Sequence, residues 1–315
     1  MKDDSRALII TVNFRQAECT LRFLNSASRL EGFAACHVLI VDNNSGDGSI
    51  SLIQPAISEF GNVELFTSAQ NRGYFGAARW ALQIYLESND APDWVVVCNN
   101  DIEFDDPRFL LRLFEKDPMA VGVIAPSIIS TLTAHDSNPN IRRRPTAFRM
   151  WRHRLWLSNY HASRFKQWAA PYFRRARYRF SNRTPAPGKG VSSQIYAPHG
   201  AFFIFSRKFF EAGGFIDDGF FLYAEEFSVA EMCCQLGLAV IHDPDLRVWH
   251  TENQSTGRML TRSVYQHQKN GFQYALARYQ SSYLELGPAQ LDTKGGVPQA
   301  ANDRQPVPAS GEQLR

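Results

Sequence analysis

The chain has 315 residues, of which 44% are hydrophobic and 21% charged, as is typical of an ordinary globular protein with one large domain. No run of about eighteen apolar residues occurs and the first residues lack a hydrophobic signal-peptide core, so neither a transmembrane helix nor a signal peptide is expected. The five cysteines form no CxxC pair, which argues against a disulfide framework or a thiolate zinc site and suits a reducing cytosol.

The formal net charge of +3 conceals an uneven distribution along the chain. Between Asp136 and Glu211 there are sixteen Lys and Arg residues and no acidic residue. The remainder of the chain is therefore acidic. This asymmetry indicates that the basic stretch between Asp136 and Glu211 has a different binding partner from the acidic remainder of the chain.

The first 125 residues alternate between apolar runs and stretches of helical periodicity. The predicted strands are Ala7–Asn13, Cys36–Asp42, Val63–Thr67, Trp94–Cys98 and Val121–Ala125. The predicted helices run from about Arg15 to Leu30, from Ser49 as cap to Phe60, from the turn Asn71–Gly76 onward, and from Pro107 to Glu115. Such alternation predicts an α/β fold with a doubly wound, mostly parallel sheet.

Three of these strands end in polar side chains: Asn13, Asp42 and the run Asn99-Asn100-Asp101. Ligands of open α/β sheets bind outside the carboxyl ends of the strands. A carboxylate such as Asp101 can hold a hard divalent cation that clamps a diphosphate, and Asp42 can accept hydrogen bonds from a base or ribose. Each is equally compatible with an Asx turn that only terminates a strand.

The turn Asn71-Arg72-Gly73-Tyr74-Phe75-Gly76 precedes a helix and would let the backbone approach a phosphate. It forms neither a GxGxxG motif nor a Walker loop, so the sequence does not support an NAD or ATP site.

The later part of the chain contains a buried run, Gln194–Phe205, predicted as one strand, and an acidic pair, Glu225 and Glu226, before a helix that ends near Gly237. The pair is either a plain helix start, favoured by the helix dipole that keeps a carboxylate ionised, or a general base. A short strand ends at His250, which is a metal ligand or a structural histidine. A last helix is expected from about Arg258 to Leu286, followed by a disordered tail over 287–315.

Residues 141–190 interleave basic and aromatic side chains, including Arg142-Arg143-Arg144, Trp151, Trp156 and Trp168. This pattern fits an amphipathic surface that meets anionic lipid headgroups. Nucleic-acid binding requires the same residue types, and a partly disordered insertion with a solvated basic face is the third interpretation.

The order of the motifs resembles family 2 glycosyltransferases of the GT-A fold, in particular the bacterial rhamnosyltransferase-like group that builds cell-surface polysaccharide. The resemblance is carried by Thr11-Val12-Asn13, Asp42-Asn43-Asn44-Ser45, Asn71–Gly76, Asn99-Asn100-Asp101, His199–Phe203, Leu222–Glu226 and Trp249-His250. It covers Ala7 to Leu286 and implies a single domain over residues 1–286. It also implies inverting transfer of a sugar from a nucleotide-diphosphate donor, such as dTDP-rhamnose or a UDP-sugar, to a glycan or lipid-linked acceptor.

The resemblance also implies roles for individual residues. The residues that it implies for donor binding are Thr11, Asn13, Asp42, Asn71, Gly73, Asn99 and Asn100. Asp101 stands at the last acid of a DxD motif and would bind Mg²⁺ or Mn²⁺ with His250 as second protein ligand, whereas Glu226, with Glu225 beside it, would supply the catalytic base. Two departures from the family pattern are Asn99 in place of the first acid of DxD and Glu226 where Asp is commoner.

A cytoplasmic enzyme, peripheral on the inner face of the membrane and without a nucleic-acid partner, is the expectation that follows. The alternative is a non-catalytic nucleotide- or membrane-binding scaffold on the same fold, which Asn99 supports.

Overall fold

The computed structural model describes residues 6–169, 191–251 and 260–285, and the strands among them form one nine-stranded sheet. The strands are β1 Ala7–Asn13, β2 Cys36–Asp42, β3 Val63–Thr67, β4 Trp94–Asn99, β5 Ile102–Glu103, β6 Val123–Ser130, β7 Ser193–Ile195, β8 Phe202–Ser206 and β9 Val240–His250. The helices are α1 Ala17–Ala27, α2 Ser49–Ile57, α3 Tyr74–Ser88, α4 Phe109–Phe114, α5 Ala147–Trp156, α6 at 160–169, α7 Arg207–Glu211, α8 Glu225–Gln235 and α9 Arg262–Glu285.

One half of the sheet is parallel, in the order β3-β2-β1-β4. In β4, Val96 packs into the apolar cluster on one face, whereas Val95 and Val97 pack into the cluster on the other. Burial on both faces explains why this strand is a continuous apolar run. The register places Asn13 beside Asp42, so the carboxyl ends of these strands meet at one edge.

The other half of the sheet is mixed. Strand β8 is antiparallel to β4 and β6, β9 is parallel to β6, and β5 and β7 pair antiparallel with β9. The pairing of β5 with β9 sets Ile102 opposite His250. This short pairing brings the end of β9 next to the end of β4, although the two strands are far apart in sequence.

The α/β class and the bounds of β1, β2 and β3 are confirmed, whereas two local predictions are wrong. The run Gln194–Phe205 is two strands, because Tyr196 and Ala197 donate their N–H groups to Ile141 O and Pro198 has no N–H to continue the ladder. Ser49 is the first residue of α2 rather than its cap, since Gly48 occupies the cap position with φ +85°. The two-residue strand β5 was not predicted.

The basic segment is helical where the structure describes it, in α5 and α6. Arg144 departs from the predicted basic surface, because it is buried and forms a bidentate pair with Glu231, which also accepts a hydrogen bond from Tyr196. A buried guanidinium needs such a partner to offset its desolvation. Residues 170–190 and the predicted tail lie outside the described residues. No helix among the described residues is long and apolar enough to span a bilayer.

Candidate active site

The first part of the site lies at the ends of β1 and β2. The Asp42 carboxylate is 2% exposed. Its Oδ1 accepts hydrogen bonds from Asn13 Nδ2 (2.7 Å) and Ser45 Oγ (2.6 Å), and its Oδ2 accepts one from Ser45 N (3.1 Å). Asp42 thus caps its own loop with a bond to the backbone three residues on, rather than the two residues of the Asx turn considered from the sequence. These bonds hold the carboxylate rigidly and leave Oδ2 with capacity for a further donor.

The turn Asn71–Gly73 lies against this cluster. Asn43, which follows Asp42, donates from Nδ2 to Asn71 Oδ1 and to Gly73 O, both at 3.0 Å. Its Oδ1 accepts from Arg72 N at 2.8 Å. These bonds join two predicted donor-binding segments into one unit.

Gly73 has φ +73° and ψ −172°, a conformation that is essentially restricted to glycine. A Cβ at this position would overlap the carbonyl oxygen of Phe221, and Tyr74 N donates to that same oxygen at 3.0 Å. The turn is thus in backbone contact with the loop that precedes the acidic pair.

We expect Gly73→Ala to lower both turnover and stability, because the added Cβ must displace the Phe221 backbone and the required φ is strained for alanine. The expected destabilisation is about 2–4 kcal/mol. Turnover and melting temperature measure the effect. Gly61→Ala is the matched control, since Gly61 has open space and an ordinary φ. A Gly73→Ala variant that melts and turns over like the Gly61→Ala variant would contradict this contact.

Asp101 and His250 form the second part of the site, and they are 8% and 7% exposed. Asp101 Oδ1 lies 3.1 Å from His250 Nε2. Among the described residues, Asp101 Oδ1 has no polar partner other than His250 Nε2, and His250 Nδ1 has no hydrogen-bond partner. Two ligand atoms at right angles around a small divalent cation, each about 2.1 Å from it, are separated by about 3.0 Å. The pair therefore fits two adjacent positions in the coordination shell of a metal ion.

Further metal ligands do not come from the part of the chain described, where no group of three or more His, Cys, Asp or Glu side chains could hold an ion. Asn99 ends β4 and bonds through its backbone N–H to Ala201 O (2.9 Å). Asn100 Nδ2 donates to Thr20 Oγ1 (3.0 Å) and Gln16 O (3.2 Å), which ties the strand end to α1. Thr11 is fully buried in β1. The donor-binding roles of Thr11, Asn99 and Asn100 stay predictions.

The acidic pair opens α8, after two residues in the left-handed region, Tyr223 (φ +72°) and Ala224 (φ +73°). Each costs about 1–2 kcal/mol relative to an ordinary conformation, so the surrounding structure must impose them. The backbone contact of Gly73 with Phe221 supports this loop on one side. Gly271 of α9 supports it on the other, where a Cβ would overlap Tyr223 O.

Burial dominates the electrostatics of the pair. Desolvation and the charge of Glu226 raise the pKa of Glu225 to about 8, and no described residue forms a hydrogen bond with Glu225 Oε1. Desolvation also raises the pKa of Glu226, which is half-buried. The helix dipole favours an ionised carboxylate in this pair, whereas loss of hydration raises the pKa of Glu225 against that effect. The elevated pKa makes Glu226 a stronger base than an exposed glutamate.

Tyr74 is part of the Asn71–Gly76 turn, and no sequence feature assigns it a role of its own. Its hydroxyl is buried and has no hydrogen-bond partner within the described part of the chain. Burial raises the pKa of Tyr74, and the charges of Glu225 and Asp101 raise it further. This hydroxyl is therefore within electrostatic influence of both Asp101 and Glu225.

A cavity of about 930 Å³ opens beside Glu226. Helices α5, α6 and α9 and the residues that follow Phe221 enclose it, with Arg149, Arg152, Trp156 and Lys166 in its lining. No sequence pattern indicated a cavity here. The only signal was the basic-aromatic composition, which did not distinguish inward-facing from outward-facing side chains.

Comparisons with known proteins agree on the family. The model of "Glycosyl transferase family 2" matches residues 8–213. An N-acetylglucosaminyl-diphospho-decaprenol L-rhamnosyltransferase from Mycobacterium tuberculosis is 26% identical over 285 residues, covering 86% of this chain and 84% of the relative.

Two solved structures share the fold. They are GalNAc-T7 with UDP, GalNAc and Mn²⁺ (TM-score 0.57, 14% identity, 90% of this chain covered) and the mannosyltransferase PcManGT from Pyrobaculum calidifontis with GDP-Man and Mn²⁺ (TM-score 0.50, 15% identity, 88% covered). The match covers 50% of the first structure and 75% of the second. Both likenesses confirm the GT-A glycosyltransferase fold. Because the family model matches more than half of its residues, the chain belongs to glycosyl transferase family 2.

Proposed function

We propose that the protein is an inverting glycosyltransferase that moves a sugar from a nucleotide-diphosphate donor to a lipid-linked saccharide in cell-surface polysaccharide synthesis. One observation carries this proposal. A fixed carboxylate, Asp42, and a metal-ligand pair, Asp101 and His250, lie at the strand ends of one sheet edge, and a half-buried base, Glu226, opens the helix α8 beside them. The named activity of the mycobacterial relative supports a lipid-linked acceptor and a rhamnose donor.

The donor occupies the ends of β1, β2 and β4. Asp42 Oδ2 accepts a hydrogen bond from the base or ribose, and the Asn71–Gly73 turn contacts the nucleotide. Asp101 and His250 would hold Mg²⁺ or Mn²⁺, and the ion would act on the donor diphosphate. A bound divalent cation supplies positive charge that offsets the charge developing on the departing diphosphate. Mn²⁺ in the two structures of similar fold supports this choice of ion.

Glu226 removes the proton from the acceptor hydroxyl while the hydroxyl oxygen forms the new bond to the anomeric carbon. The bond from that carbon to the diphosphate oxygen breaks on the opposite face, so the configuration inverts. Glu225, with its pKa near 8, is protonated at neutral pH and donates a hydrogen bond. Two neighbouring carboxyl groups of unequal pKa provide one acceptor and one donor for the same hydroxyl-bearing sugar.

The outer surface of the basic segment suits an anionic membrane. Phe148, Trp151 and Leu155 are exposed along one side of α5, and Phe165 and Trp168 are exposed on α6. Exposed basic residues flank them, with Arg142, Arg143, Arg154 and Arg164 among them. Apolar anchors together with Lys and Arg favour an interfacial location on anionic lipid over nucleic acid. We place the enzyme on the cytoplasmic face of the membrane.

We expect Trp151→Ser with Leu155→Ser to lower sedimentation with phosphatidylglycerol vesicles by about tenfold or more, because two apolar side chains no longer enter the interface. Ile50→Ser with Leu52→Ser is the matched control, since both residues are exposed on α2, away from this surface. If the wild type partitions equally to phosphatidylglycerol and phosphatidylcholine vesicles, the proposed preference for anionic lipid is contradicted, and α5 and α6 form only a solvent-exposed surface.

A panel of nucleotide sugars tests the function itself. The correct donor should raise the melting temperature more with Mn²⁺ than without it, and its sugar should appear on a lipid-diphosphate-linked saccharide. A protein that binds nucleotide sugars but neither transfers nor hydrolyses any of them would instead be the non-catalytic scaffold that Asn99 suggests.

A further inference from the structure

The cavity beside Glu226 has an unusual balance of charge. Arg149 and Arg152 of α5 and Lys166 of α6 line it. Glu226 is the single carboxylate in this lining, and it lies at the opposite, catalytic side. Within the described ranges no carboxylate lies in ion-pair distance of the three cations, whereas Arg79 pairs with Asp218 at 2.7 Å and Arg247 with Asp105 at 2.8 Å. Among the described residues, these three cations of the cavity wall therefore have no ion-paired carboxylate.

Helix periodicity sets the two arginines on the side of α5 that borders the cavity. Residues 149, 152 and 156 recur at intervals of three and four and all line the cavity, and Arg149 and Arg152 are at the same time exposed to solvent. Residues 148, 151 and 155 recur in the same way one position earlier, are exposed and do not line the cavity. The helix thus carries a cationic row that borders the open cavity and an adjacent apolar row outside it.

The cations are close enough to repel one another. Lys166 Nζ lies 3.4 Å from His153 Nδ1, and burial followed by the charges of Arg152 and Arg149 lowers the pKa of Lys166. Burial followed by the charges of Lys166 and Arg149 lowers the pKa of His153 to about 4. Like charges crowded in a partly desolvated cavity are favourable only when an anion balances them.

We propose that this cavity binds the diphosphate of the lipid-linked acceptor, with Arg149, Arg152 and Lys166 as its phosphate ligands and the acceptor sugar directed toward Glu226. The inference rests on the proposed function and specifies how that site selects its acceptor. A volume of about 930 Å³ is in the usual range for ligand pockets, about 300–1,000 Å³, and accommodates a sugar diphosphate. Trp156, Phe165 and Phe272 offer apolar surface for the sugar ring and the start of the lipid chain.

Binding without donor and without metal tests this site apart from Asp101. Calorimetry at about 0.15 M salt, where the Debye length is about 8 Å, should show that the wild type binds inorganic pyrophosphate and a short-chain isoprenyl-diphospho-N-acetylglucosamine. The variant Arg149→Gln/Arg152→Gln/Lys166→Gln should bind both at least tenfold more weakly. The control Arg143→Gln/Arg154→Gln/Arg164→Gln loses the same charge from exposed positions outside the cavity lining and should bind within about twofold of the wild type, since long-range charge contributes little here.

Kinetics with two acceptors provide a second readout. The cavity variant should raise the KM for the isoprenyl-diphosphate acceptor by tenfold or more, with the KM for an uncharged glycoside of the same sugar unchanged. Lys166→Gln alone should show a smaller change in the same direction. This single variant provides the same readout if the triple variant does not fold.

The outcomes separate this site from the function on which it rests. Equal pyrophosphate affinity in the cavity variant and the control, in a protein that transfers sugar, would overturn the anion site and leave the transferase intact. Loss of pyrophosphate binding confined to the cavity variant, in a protein that turns over no nucleotide sugar, would support the anion site and overturn the proposed function.

Discussion

Replacing Glu226 with Gln is expected to lower turnover by about 10²–10⁴-fold while donor affinity stays close to that of the wild type. The amide has nearly the shape of the carboxylate but cannot accept the proton of the acceptor hydroxyl. Donor affinity is preserved because Glu226 faces the cavity of the acceptor rather than the Asp42 cluster. Turnover, donor titration and melting temperature of the variant measure the three quantities separately.

The pH profile adds a second signature. Burial raises the pKa of Glu226 above the ordinary 4.5, so kcat/KM of the wild type should fall on the acid side at a pH above that value as the base becomes protonated. Asp218→Asn is the matched control, because Asp218 is half-exposed and paired with Arg79 outside the cavity lining. If Glu226→Gln keeps most of its turnover and Asp218→Asn loses it, the base has been assigned to the wrong residue.

Replacing Asp101 with Ala is expected to abolish transfer and to remove the effect of Mn²⁺ on donor affinity. Asp101 Oδ1 and His250 Nε2 are 3.1 Å apart, so one residue alone leaves the ion with a single protein ligand. Calorimetric titration of the donor with and without Mn²⁺ measures the difference directly. His250→Ala should weaken the same metal effect.

Asp105→Ala is the control for that result. Asp105 lies four residues along the chain, but its carboxylate pairs with Arg247, 2.8 Å away. Its loss should leave the metal effect unchanged. A metal effect on donor affinity that survives in Asp101→Ala would exclude the Asp101–His250 pair as the site of the ion.

The parallel half of the fold follows from the sequence because its signals are local. Strands β1, β2 and β3 are apolar runs bounded by polar residues, and burial on both faces leaves no other interpretation. Asn13 and Asp42, both placed at strand ends by the sequence, form a hydrogen bond in the structure, because neighbouring parallel strands end at a common edge.

The rest of the site depends on contacts between distant segments. Nothing near His250 indicates that a two-residue strand, Ile102–Glu103, brings it to Asp101. The inward and outward faces of α5 likewise arise from packing against α9, which composition does not record. Arg144 illustrates the same limit, because only the fold reveals that one arginine of three is buried against Glu231.

The acidic pair shows how burial changes a chemical inference. The sequence supports ionised carboxylates at a helix N-terminus, where the dipole favours negative charge. The fold removes Glu225 from water and sets it beside Glu226, which raises its pKa to about 8. Desolvation is a property of the packed structure and outweighs a dipole effect of about 1 kcal/mol.

The anomeric configuration of the product tests the proposed inverting displacement most directly. Nuclear magnetic resonance spectra should be recorded during transfer from the donor identified in the nucleotide-sugar panel to an isoprenyl-diphospho-N-acetylglucosamine. Single displacement assisted by Glu226 predicts a new linkage whose configuration is opposite to that of the donor. A product with retained configuration, or the absence of product with every nucleotide sugar in the panel, would contradict it.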